Sequence, residues 1–576
     1  MKKTELREFI APYKVRMTVA IIMGLVGALC NVRIPDKVNK IGSVIEAGIQ
    51  SGIDMNLTMR YSVLAGLLIL VSIICSVASG RIMAQIGHWV GRDIRDAAND
   101  KLNKIELSTL DIKPEGDLVS RTTSDILVVE TMVASNLGAV ITNALQLIGC
   151  LVMMAIISFR LMLVVLVTVF AGMVLNVFIS QKSMAVVKKQ RRAVAHINGQ
   201  ISEILKGFMV IKAFNAEKEV VNAFEVTNEE LKDSTKMSNF LSAIMFPLIS
   251  FIGNISYVAI CLFGAHLFMK KDAGISVSVI AAFILYATLF SSSAGGVFGS
   301  LGQLVGAKVN MGRVTELLTM PEIVNEGNEH IENVKGEVIF DNVRFGYVKD
   351  KEIIHGFSAK IEPGMKVAIV GPTGAGKSTI INLLMRFYEL NSGSIKIDGT
   401  SIDKIPRENL HDMLGMVLQE TFTFTGSIRD NIIYSTEGVT DAMLDEVIKK
   451  CGLDYLISTL PDGLDTILSE QSSVSAGQKQ LITIARVMVK NPSILILDEA
   501  TSSVDTRTEK LIQDALDTLT KGRTSFSIAH RLSTIKNADL IFVLKDGDII
   551  EVGNHDELLA KGGTYAELYN SQFSED

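Results

Sequence analysis

Residues 366–380, KVAIVGPTGAGKSTI, decide the fold of the second half of the chain. The apolar, β-branched run 367–370 predicts a buried strand, and the apolar spacing after Ser378 predicts an amphipathic helix. Between them stands the pattern G-x-x-x-x-G-K-[ST], formed by Gly371, Gly376, Lys377 and Ser378. Glycines let backbone N–H groups surround an anion at a helix N-terminus, and Lys377 adds a full positive charge. The stretch predicts a phosphate-binding loop rather than a plain glycine-rich turn, with Ser378 placed to bind Mg²⁺.

The composition divides the chain into a membrane part and a soluble part. Of its 576 residues 48% are hydrophobic and only 20% are charged, and the apolar excess lies before residue 300. The net charge of -6 and the lack of a basic tail argue against nucleic-acid binding. The N-terminus has no secretory signal and predicts an interfacial helix over residues 1–14. Single, scattered cysteines indicate packing roles rather than disulfides or metal ligands: Cys30, Cys75, Cys150, Cys261 and Cys451.

Six apolar stretches are long enough to cross a bilayer, which takes about 20 helical residues. They are residues 15–47, 61–86, 133–159, 161–179, 240–268 and 276–298. Charges interrupt the first stretch on one helical face, at Arg33, Asp36, Lys37 and Lys40. Two interpretations stay open for them: the charges line a wet cavity, or this part of the helix extends into water beyond the membrane.

The connections after the second and fourth spans are long and carry most of the basic residues. Their excess of Lys and Arg predicts that these connections, and therefore both termini, lie in the cytoplasm. Helical periodicity in residues 186–214 indicates that membrane helices continue through them, tens of ångströms beyond the bilayer at about 1.5 Å per residue. The breaks at 113–116 and 206–207 are candidate tips of these extensions, where they meet the soluble domain.

Polar residues follow several predicted strands of the soluble half. Asp498 and Glu499 end the apolar run 493–497, so Asp498 is expected to hold Mg²⁺ and Glu499 to polarise the attacking water. Gln419 follows another short apolar run, and His530 ends the strand predicted over 524–529, where it could bond a γ-phosphate. The simpler interpretations are a capping acid pair and an ordinary surface histidine.

Two further features also have both a functional and a simpler structural interpretation. Ser475 precedes a predicted helix that runs through residues 482–489, so its N-cap could be a second anion site. Tyr347 follows Val-Arg-Phe-Gly near the start of the soluble domain, where an aromatic ring could stack on adenine, although a lone tyrosine is more often structural.

Taken in order, these motifs resemble those of an ABC ATPase: A-loop, Walker A, Q-loop, signature, Walker B, D-loop and switch histidine. The six spans with two long extensions resemble the membrane domain of bacterial ABC half-exporters. The resemblance implies a multidomain chain, with an all-α six-helix transmembrane domain (15–318), a linker (319–336) and an α/β P-loop ATPase domain (337–576).

The resemblance also implies the roles of the site residues. By this resemblance the catalytic residues are Glu499, His530 and Lys377. The Mg²⁺ ligands are Ser378, Gln419 and Asp498. The residues expected to bind ATP are Tyr347, Gly371, Pro372, Thr373, Gly374, Ala375, Gly376, Lys377, Ser378, Thr379, Gln419, Ser475, Gly477, Gln478 and Asp505. Two such chains are expected to dimerise head to tail, trapping each ATP between the Walker A loop of one and the signature of the other.

The signature departs from the usual Leu-Ser-Gly-Gly-Gln, because Val474 and Ala476 stand at its first and third places. Ala476 adds a Cβ where the backbone needs to come close to phosphate, whereas Glu499 is intact. This mixture resembles one half of heterodimeric multidrug-type exporters, in which one ATP site is weakened. We therefore expect a different half-transporter as partner, and a homodimer is the alternative.

The expected function is ATP-driven export, or lipid flipping, of an amphipathic substrate across the cytoplasmic membrane. A large apolar cavity with flexible methionines suits amphipathic small molecules or lipids. Two alternatives remain, namely a peptide exporter and a non-transporting, ATP-gated regulatory or channel subunit. The six spans exclude a soluble DNA-repair or translation ATPase that carries the same nucleotide motifs.

Overall fold

The structure, a computed structural model, describes residues 4–270, 275–323, 327–348, 351–419, 421–469, 474–498, 505–529 and 532–573. The chain forms two compact units. The first contains Met1–Asn103 and Glu115–Thr319, and the second contains Lys104–Pro114 and Met320–Asp576.

The first unit is entirely helical in its described part. Its helices are α1 (Leu6–Ile10), α2 (Lys14–Ser51), α3 (Met55–Leu102), α5 (Glu115–Thr122), α6 (Ser124–Thr131), α7 (Leu137–Ile157), α8 (Phe159–Lys206), α9 (Phe208–Ala213), α10 (Glu217–Met269) and α11 (Val277–Leu318). The short helix α4 (Leu107–Ile112) lies between α3 and α5 in the chain but belongs to the second unit. The segment predicted as an interfacial helix contains α1, and its position at a membrane surface stays a prediction.

Each of the six predicted spans corresponds to a helix, with differences of a few residues at the ends of the third and sixth. Among the described residues, four segments are long and apolar enough to cross a membrane, and two shorter apolar segments lie in α8 and α10. The four are Leu6–Ile49, Met55–Leu102, Glu115–Ile157 and Val277–Leu318, and the two are Phe159–Leu175 and Asn254–Met269. The third and fourth spans meet at Ser158, whose hydroxyl caps α8 by accepting from the N–H of Leu161 at 3.5 Å. The third helix therefore ends two residues before its predicted end.

Three of the helices are much longer than a membrane is thick. Helices α3 and α8 have 48 residues each and α10 has 53. At ~1.5 Å per residue they are roughly 70 to 80 Å long, more than twice the ~30 Å hydrocarbon core. Their length agrees with the predicted extensions. Helix α8 ends at Lys206 with Gly207 as its C-cap, which is the predicted second tip.

A π-helical turn, Met132–Asn136, joins α6 to α7 and packs closely on α3. Gly87 makes this possible, because a Cβ there would lie 2.5 Å from the Cβ of Ala134. One helical turn further along, Gly91 leaves room for the buried side chain of Glu130. Arg95 pairs with that carboxylate at 3.0 Å. Gly87 thus accommodates the π turn itself, and Gly91 accommodates Glu130 at the end of the preceding helix α6.

An ionic network joins α5 to α11 in the same unit. The carboxylate of Asp117 accepts from Arg121 and from Arg313, each at 2.8 Å. Arg121 is buried and also donates to Glu316 at 2.9 Å. A buried guanidinium with two carboxylate partners holds α5, just after the first predicted tip, against α11.

The second unit is built on strands β1 (Val338–Phe345), β2 (Ile354–Ile361), β3 (Lys366–Val370), β4 (Ser392–Ile397), β5 (Thr400–Ser401), β6 (Leu414–Val417), β7 (Gly426–Ser427), β8 (Ile467–Leu468), β9 (Ile494–Asp498), β10 (Thr524–Ile528), β11 (Leu540–Lys545) and β12 (Asp548–Gly553). Its further helices are α12 (Lys377–Leu384), α13 (Arg407–Met413), α14 (Ile428–Ile433), α15 (Asp441–Lys450), α16 (Asp454–Thr459), α17 (Ala476–Lys490), α18 (Thr506–Thr520), α19 (Leu532–Lys536), α20 (His555–Lys561) and α21 (Thr564–Phe573).

The main sheet has the strand order β12-β11-β3-β10-β9-β6, with all neighbours parallel except β12 and β11. A second, antiparallel sheet has the order β2-β1-β4-β5. The first four residues of β9, Ile494 to Leu497, are apolar and buried on both faces of the sheet, and the strand ends at Asp498. Ile494 and Ile496 belong to one hydrophobic cluster, together with α12, whereas Leu495 and Leu497 belong to another, together with α17. Helices α12 and α17 therefore cover opposite faces of the sheet.

Helix α4 is held in the second unit by polar contacts on both sides. The N–H of Ile323 donates to the carbonyl of Lys104 at 2.7 Å, and Ile105 forms an antiparallel bridge with Glu322. The Tyr388 hydroxyl donates to the carboxylate of Asp111. Burial, followed by this hydrogen bond, raises the pKa of Tyr388.

The packing of α3 on the π turn leads to a prediction with a control on the same helix. Gly87→Ala forces the Ala134 backbone away and should destabilise the first unit by ~1–3 kcal/mol. Gly80→Ala meets no atom within 4 Å and gains helix propensity, so it should be neutral or stabilising. Thermal unfolding in detergent measures both. Equal midpoints for the two variants would contradict the packing.

Candidate active site

The predicted phosphate-binding loop lies between β3 and α12 and turns through three glycines with positive φ. The φ angles are +155° at Gly371, +85° at Gly374 and +97° at Gly376, which is the N-cap of α12. The N–H of Ala375 donates to the carbonyl of Pro372 at 3.2 Å and closes the turn. Side chains with a Cβ rarely adopt these angles, so glycine is required on conformational grounds.

Gly371 has a second requirement, which is space. A Cβ there would lie 2.3 Å from the carbonyl oxygen of Leu544 on the neighbouring strand β11. At Gly374 no atom lies within 4 Å of the corresponding position. The loop thus leaves the sheet at a point where two backbones are in contact, and it then reaches solvent at Pro372, Thr373 and Gly374.

Lys377 is folded back over the loop. Its ammonium group donates to the carbonyl of Gly371 at 2.7 Å and to that of Pro372 at 3.0 Å. The residue is only 8% exposed, and burial lowers the pKa of the ammonium, an effect that the nearby Asp498 opposes. Ser378, next to it at the start of α12, is exposed, whereas Thr379 is buried. The helix therefore presents a buried cation and an open hydroxyl at one N-terminus.

The strand register brings other predicted residues to the same edge of the sheet. Ile528 is paired with both Ile369 and Asp498, and Val417 is paired with Leu497. The carboxyl ends of four parallel strands therefore coincide, so Asp498 stands beside the loop and the exposed Gln419 follows two residues after Val417. Glu499 and His530 lie outside the described residues.

Tyr347 lies next to the helix that follows the loop. Its hydroxyl is 3.3 Å from that of Thr379, and its ring is 46% exposed. The rings of Phe345 and Tyr388 each lie edge-on to it, with centroids 5.0 Å away. Sequence reasoning did not identify Tyr388, which connects this ring to Asp111 on α4. In the sequence, Tyr388 is marked only by being an aromatic residue shortly after α12.

The signature residues begin α17 on the other face of the sheet. The Ser475 hydroxyl accepts from the N–H of Gln478 at 3.3 Å, and the Gln478 side chain accepts from the N–H of Ser475 at 2.9 Å. Ala476 is exposed at the first helical position, and Gly477 is buried. Among the described residues, these hydrogen bonds remain within the cap and do not reach the loop of the same chain.

Asp505 is the N-cap of α18 and accepts from the N–H groups of Thr508 at 3.0 Å and Arg507 at 3.1 Å. The hydrogen bonds with Thr508, ahead of that from Arg507, lower the pKa of this carboxyl group. The residue is exposed and is not joined to the loop by a described hydrogen bond.

Chemically, the loop is an anion site at a helix N-terminus with one buried cation and one carboxylate beside it. Successive loop N–H groups, the helix dipole and the Lys377 ammonium all favour a polyphosphate. The exposed Ser378 hydroxyl and the Asp498 carboxylate are oxygen donors at the same edge. This is the arrangement of a nucleoside-triphosphate site.

Comparison with known proteins also indicates a nucleotide-binding protein and identifies its family. The family described as "ABC transporter transmembrane region" matches residues 17–294, and that described as "ABC transporter" matches residues 354–502. The chain therefore belongs to the ABC transporter family, with membrane domain and ATPase domain in one chain, and its ATPase hydrolyses ATP coupled to transport.

Individual relatives narrow the class to exporters. The chain is 37% identical over 518 residues to the fatty acid ABC transporter ATP-binding/permease protein of Mycobacterium tuberculosis, covering 90% of this chain and 82% of that protein. It is 34% identical to the ATP-dependent lipid A-core flippase of Saccharophagus degradans, covering 85% and 83%. A solved bacterial Atm1-family ABC exporter with ATP bound matches with a TM-score of 0.77 and 27% identity, over 98% of this chain and 99% of that one.

The loop geometry predicts different effects for two of its glycines. Gly371→Ala meets both the positive φ and the Leu544 carbonyl, whereas Gly374→Ala meets only the positive φ, at a cost of ~1–2 kcal/mol. Thermal unfolding without nucleotide should therefore show a clearly larger loss for Gly371→Ala. A loss at Gly374→Ala of the same size would mean that contact with β11 is unimportant.

Proposed function

We propose that this chain is one half of a dimeric exporter that uses ATP to move an amphipathic, lipid-like substrate across the cytoplasmic membrane. The observation that carries the proposal is the sheet edge where the glycine loop, the buried Lys377 and Asp498 meet, in a chain that also has long apolar helices. The fatty acid and lipid A relatives support a lipid-like substrate.

In this proposal the loop binds the phosphates of ATP. Lys377 exchanges its two carbonyl partners, Gly371 and Pro372, for phosphate oxygens, because a charged acceptor binds an ammonium group more strongly than a neutral carbonyl does. Thr373, Gly374, Ala375 and Gly376 supply backbone N–H groups. The half-exposed ring of Tyr347, supported by two other aromatic rings, offers a face for adenine.

The residues present also fit Mg²⁺. The Ser378 hydroxyl, the Asp498 carboxylate and the Gln419 side-chain carbonyl are oxygen donors, which this hard cation prefers. When bound, the ion neutralises phosphate charge. The chain's own residues orient the γ-phosphate: we assign Glu499 to position and polarise the attacking water and His530 to hydrogen-bond the phosphate.

A complete site needs a second chain in this proposal. Ser475, Gly477, Gln478 and Asp505 are separated from the loop of their own chain by the sheet, and they face solvent at helix N-termini or are adjacent to residues that do. We assign them to the phosphates held by a partner. Because Ala476 weakens this chain's signature while its own loop is intact, the proposed partner is a different half-transporter.

Helix α4 is the proposed link between ATP and the membrane domain. It follows α3 in the chain, and its Asp111 bonds Tyr388, which packs on Tyr347. ATP binding then closes the ATPase domains, α4 moves with them, and hydrolysis resets the transporter. The basic residues of the long connections support a cytoplasmic position for this helix and for both termini.

The assignment of the loop predicts separable defects. Lys377→Ala should weaken ATP binding by about 10- to 100-fold, because a charge-assisted hydrogen bond is lost. Lys510→Ala, on the exposed surface of α18, is the matched control and should bind normally. Equilibrium binding of a fluorescent ATP analogue measures both. Unchanged affinity in Lys377→Ala would remove the loop from nucleotide binding.

The assignment of Glu499 predicts a defect in ATP hydrolysis without a defect in ATP binding. Glu499→Gln should bind ATP normally yet hydrolyse it at least about 100-fold more slowly, because the amide cannot polarise water as a carboxylate does. Phosphate release and ATP binding are measured on the same preparation of the transporter assembled with its partner. Normal turnover in this variant would mean that another group performs the step.

The heterodimer predicts that this chain does not form a stable closed dimer with itself. Glu499→Gln protein alone in nanodiscs with Mg²⁺ and ATP should have the native mass of a monomer, and co-expression with a second half-transporter should give a dimer. A stable homodimer would contradict the heterodimer. In that case Ala476→Gly should raise turnover, since both sites would contain the substituted signature.

Transport itself separates an exporter from a regulatory subunit. Inverted vesicles containing the assembled transporter should accumulate an amphipathic substrate only with ATP, and the Glu499→Gln variant should not. ATP hydrolysis without any movement of lipid, drug or peptide would favour the regulatory function.

A further inference from the structure

The charged residues in the middle of α2 form a cluster with a surplus of positive charge. Between Arg16 and Arg33 the helix contains no charged residue, and it then has three cations and one carboxylate within eight residues. The carboxylate of Asp36 pairs with Lys37 at 3.1 Å and with Lys40 at 3.6 Å. One carboxylate therefore serves two ammonium groups, and the cluster has a net charge of +2.

Arg33 is left without a counter-charge. It is exposed and, within the described part of the chain, has no carboxylate at ion-pair distance. The next acid along α2 after the cluster, Glu46, is engaged elsewhere, because its carboxylate accepts from the N–H of Ser278 at 2.8 Å and from the Ser278 hydroxyl at 3.2 Å. The guanidinium is thus available to an external anion.

Two neighbouring helices locate Arg33 inside the apolar layer. The preceding residue, Val32, lies against Gly149 and its carbonyl accepts from Tyr286. Gly149 is nine residues before the turn at Ser158, and Tyr286 is nine residues after the start of α11, so both are about 13 Å from a helix end. Arg33 is therefore at the depth of apolar packing, which argues against the interpretation that this part of α2 lies entirely in water.

The same face of α2 has an exposed apolar stripe. Val15, Val19, Ile22, Val26 and Leu29 are between 40% and 77% exposed. They follow one another at intervals of three or four residues, and Arg33, Lys37 and Lys40 continue this spacing. The stripe is ~21 Å long at about 1.5 Å per residue, longer than half of the ~30 Å hydrocarbon core.

We propose that this face of α2 binds a single-chain carboxylate amphiphile, such as a long-chain fatty acid anion. The acyl chain lies along the stripe and the carboxylate is bound by Arg33, with Lys37 and Lys40 adding positive charge. A stripe on one helix has the width of one acyl chain, which favours a single-chain lipid over a two-chain phospholipid. This inference rests on the proposed function and names the substrate class.

The chemistry of the charged cluster favours a carboxylate head group over a neutral or cationic one. A guanidinium offers two parallel N–H donors to the two oxygens of a carboxylate, and the low local dielectric strengthens that pairing. A neutral alcohol leaves Arg33 without a counter-charge, and a cationic amphiphile is repelled by the surplus charge. The head group therefore decides binding, while the acyl chain adds apolar contact.

The test measures binding of radiolabelled hexadecanoate and hexadecanol to the full chain in phosphatidylcholine nanodiscs. Wild-type protein should bind the carboxylate about 10-fold or more tightly than the alcohol, and Arg33→Gln should remove that preference. The control is Arg60→Gln, an exposed arginine near the start of α3, which should keep the preference. Equal affinity of the wild type for both ligands, or equal losses in the two variants, would overturn the proposal.

A second variant keeps the test decisive if Arg33→Gln does not fold. Asp36→Asn removes the only carboxylate of the cluster and raises its surplus from two charges to three. It should bind hexadecanoate several-fold more tightly and hexadecanol unchanged. Weaker or unchanged carboxylate binding would contradict the proposed site.

Two further measurements distinguish the possible failures. Stronger, Arg33-dependent binding of dipalmitoyl phosphatidate than of hexadecanoate would overturn the single-chain assignment. Hexadecanoate binding to this chain, without ATP-dependent movement of hexadecanoate or another amphiphile by the transporter assembled with its partner, would support this site and count against the proposed export function. Conversely, ATP-driven movement of another amphiphile, with no preference for the carboxylate, would support export and overturn this site.

Discussion

The ATPase domain depends on one steric constraint, namely the contact between the backbone of Gly371 and the carbonyl of Leu544. The loop can leave β3 only because no side chain separates it from β11. From that point three positive φ angles turn the chain back to the start of α12, where Lys377 is buried against the loop carbonyls. The position of the cation, and therefore of any phosphate, follows from a close approach of two strands.

The central sheet separates the two functional parts of the domain as well as supporting them. Because β9 is apolar on both faces, it takes part in two hydrophobic clusters at once. The loop helix α12 belongs to one cluster and the signature helix α17 to the other. A parallel strand buried on both sides thereby places Asp498 beside the loop and keeps Ser475 on the other face of the sheet, away from it.

Local patterns in the sequence were sufficient to predict much of the loop, its flanking elements and the helix ends. The strand, the loop and the helix around Lys377 could be predicted because the residues involved are consecutive, and the Ser475 cap could be predicted because capping acts over three residues. The same holds for the end of α8 at Gly207. The motif that places Asp498 at the end of β9 agrees with the strand register, whereas Glu499 and His530 stay predictions because they lie outside the described residues.

Contacts between residues far apart in the chain could not be predicted in the same way. Tyr388 and Asp111 are 277 residues apart, and neither belongs to a recognisable pattern. Gly87 is one of several glycines in α3, and only the structure distinguishes it from Gly80 by the presence of Ala134. The π turn has no compositional signal, because its residues are compatible with an ordinary helix.

The division of the chain into units has a practical meaning for protein engineering. The ATPase unit includes Lys104–Pro114, which interrupts the membrane half of the sequence between Asn103 and Glu115. A soluble fragment that starts at Met320 lacks this segment, so Tyr388 loses its carboxylate and Glu322 its bridge to Ile105. A chimera that exchanges the ATPase unit with that of a paralogue therefore needs two junctions more than a simple fusion, because the short α4 segment has to be exchanged together with the C-terminal half.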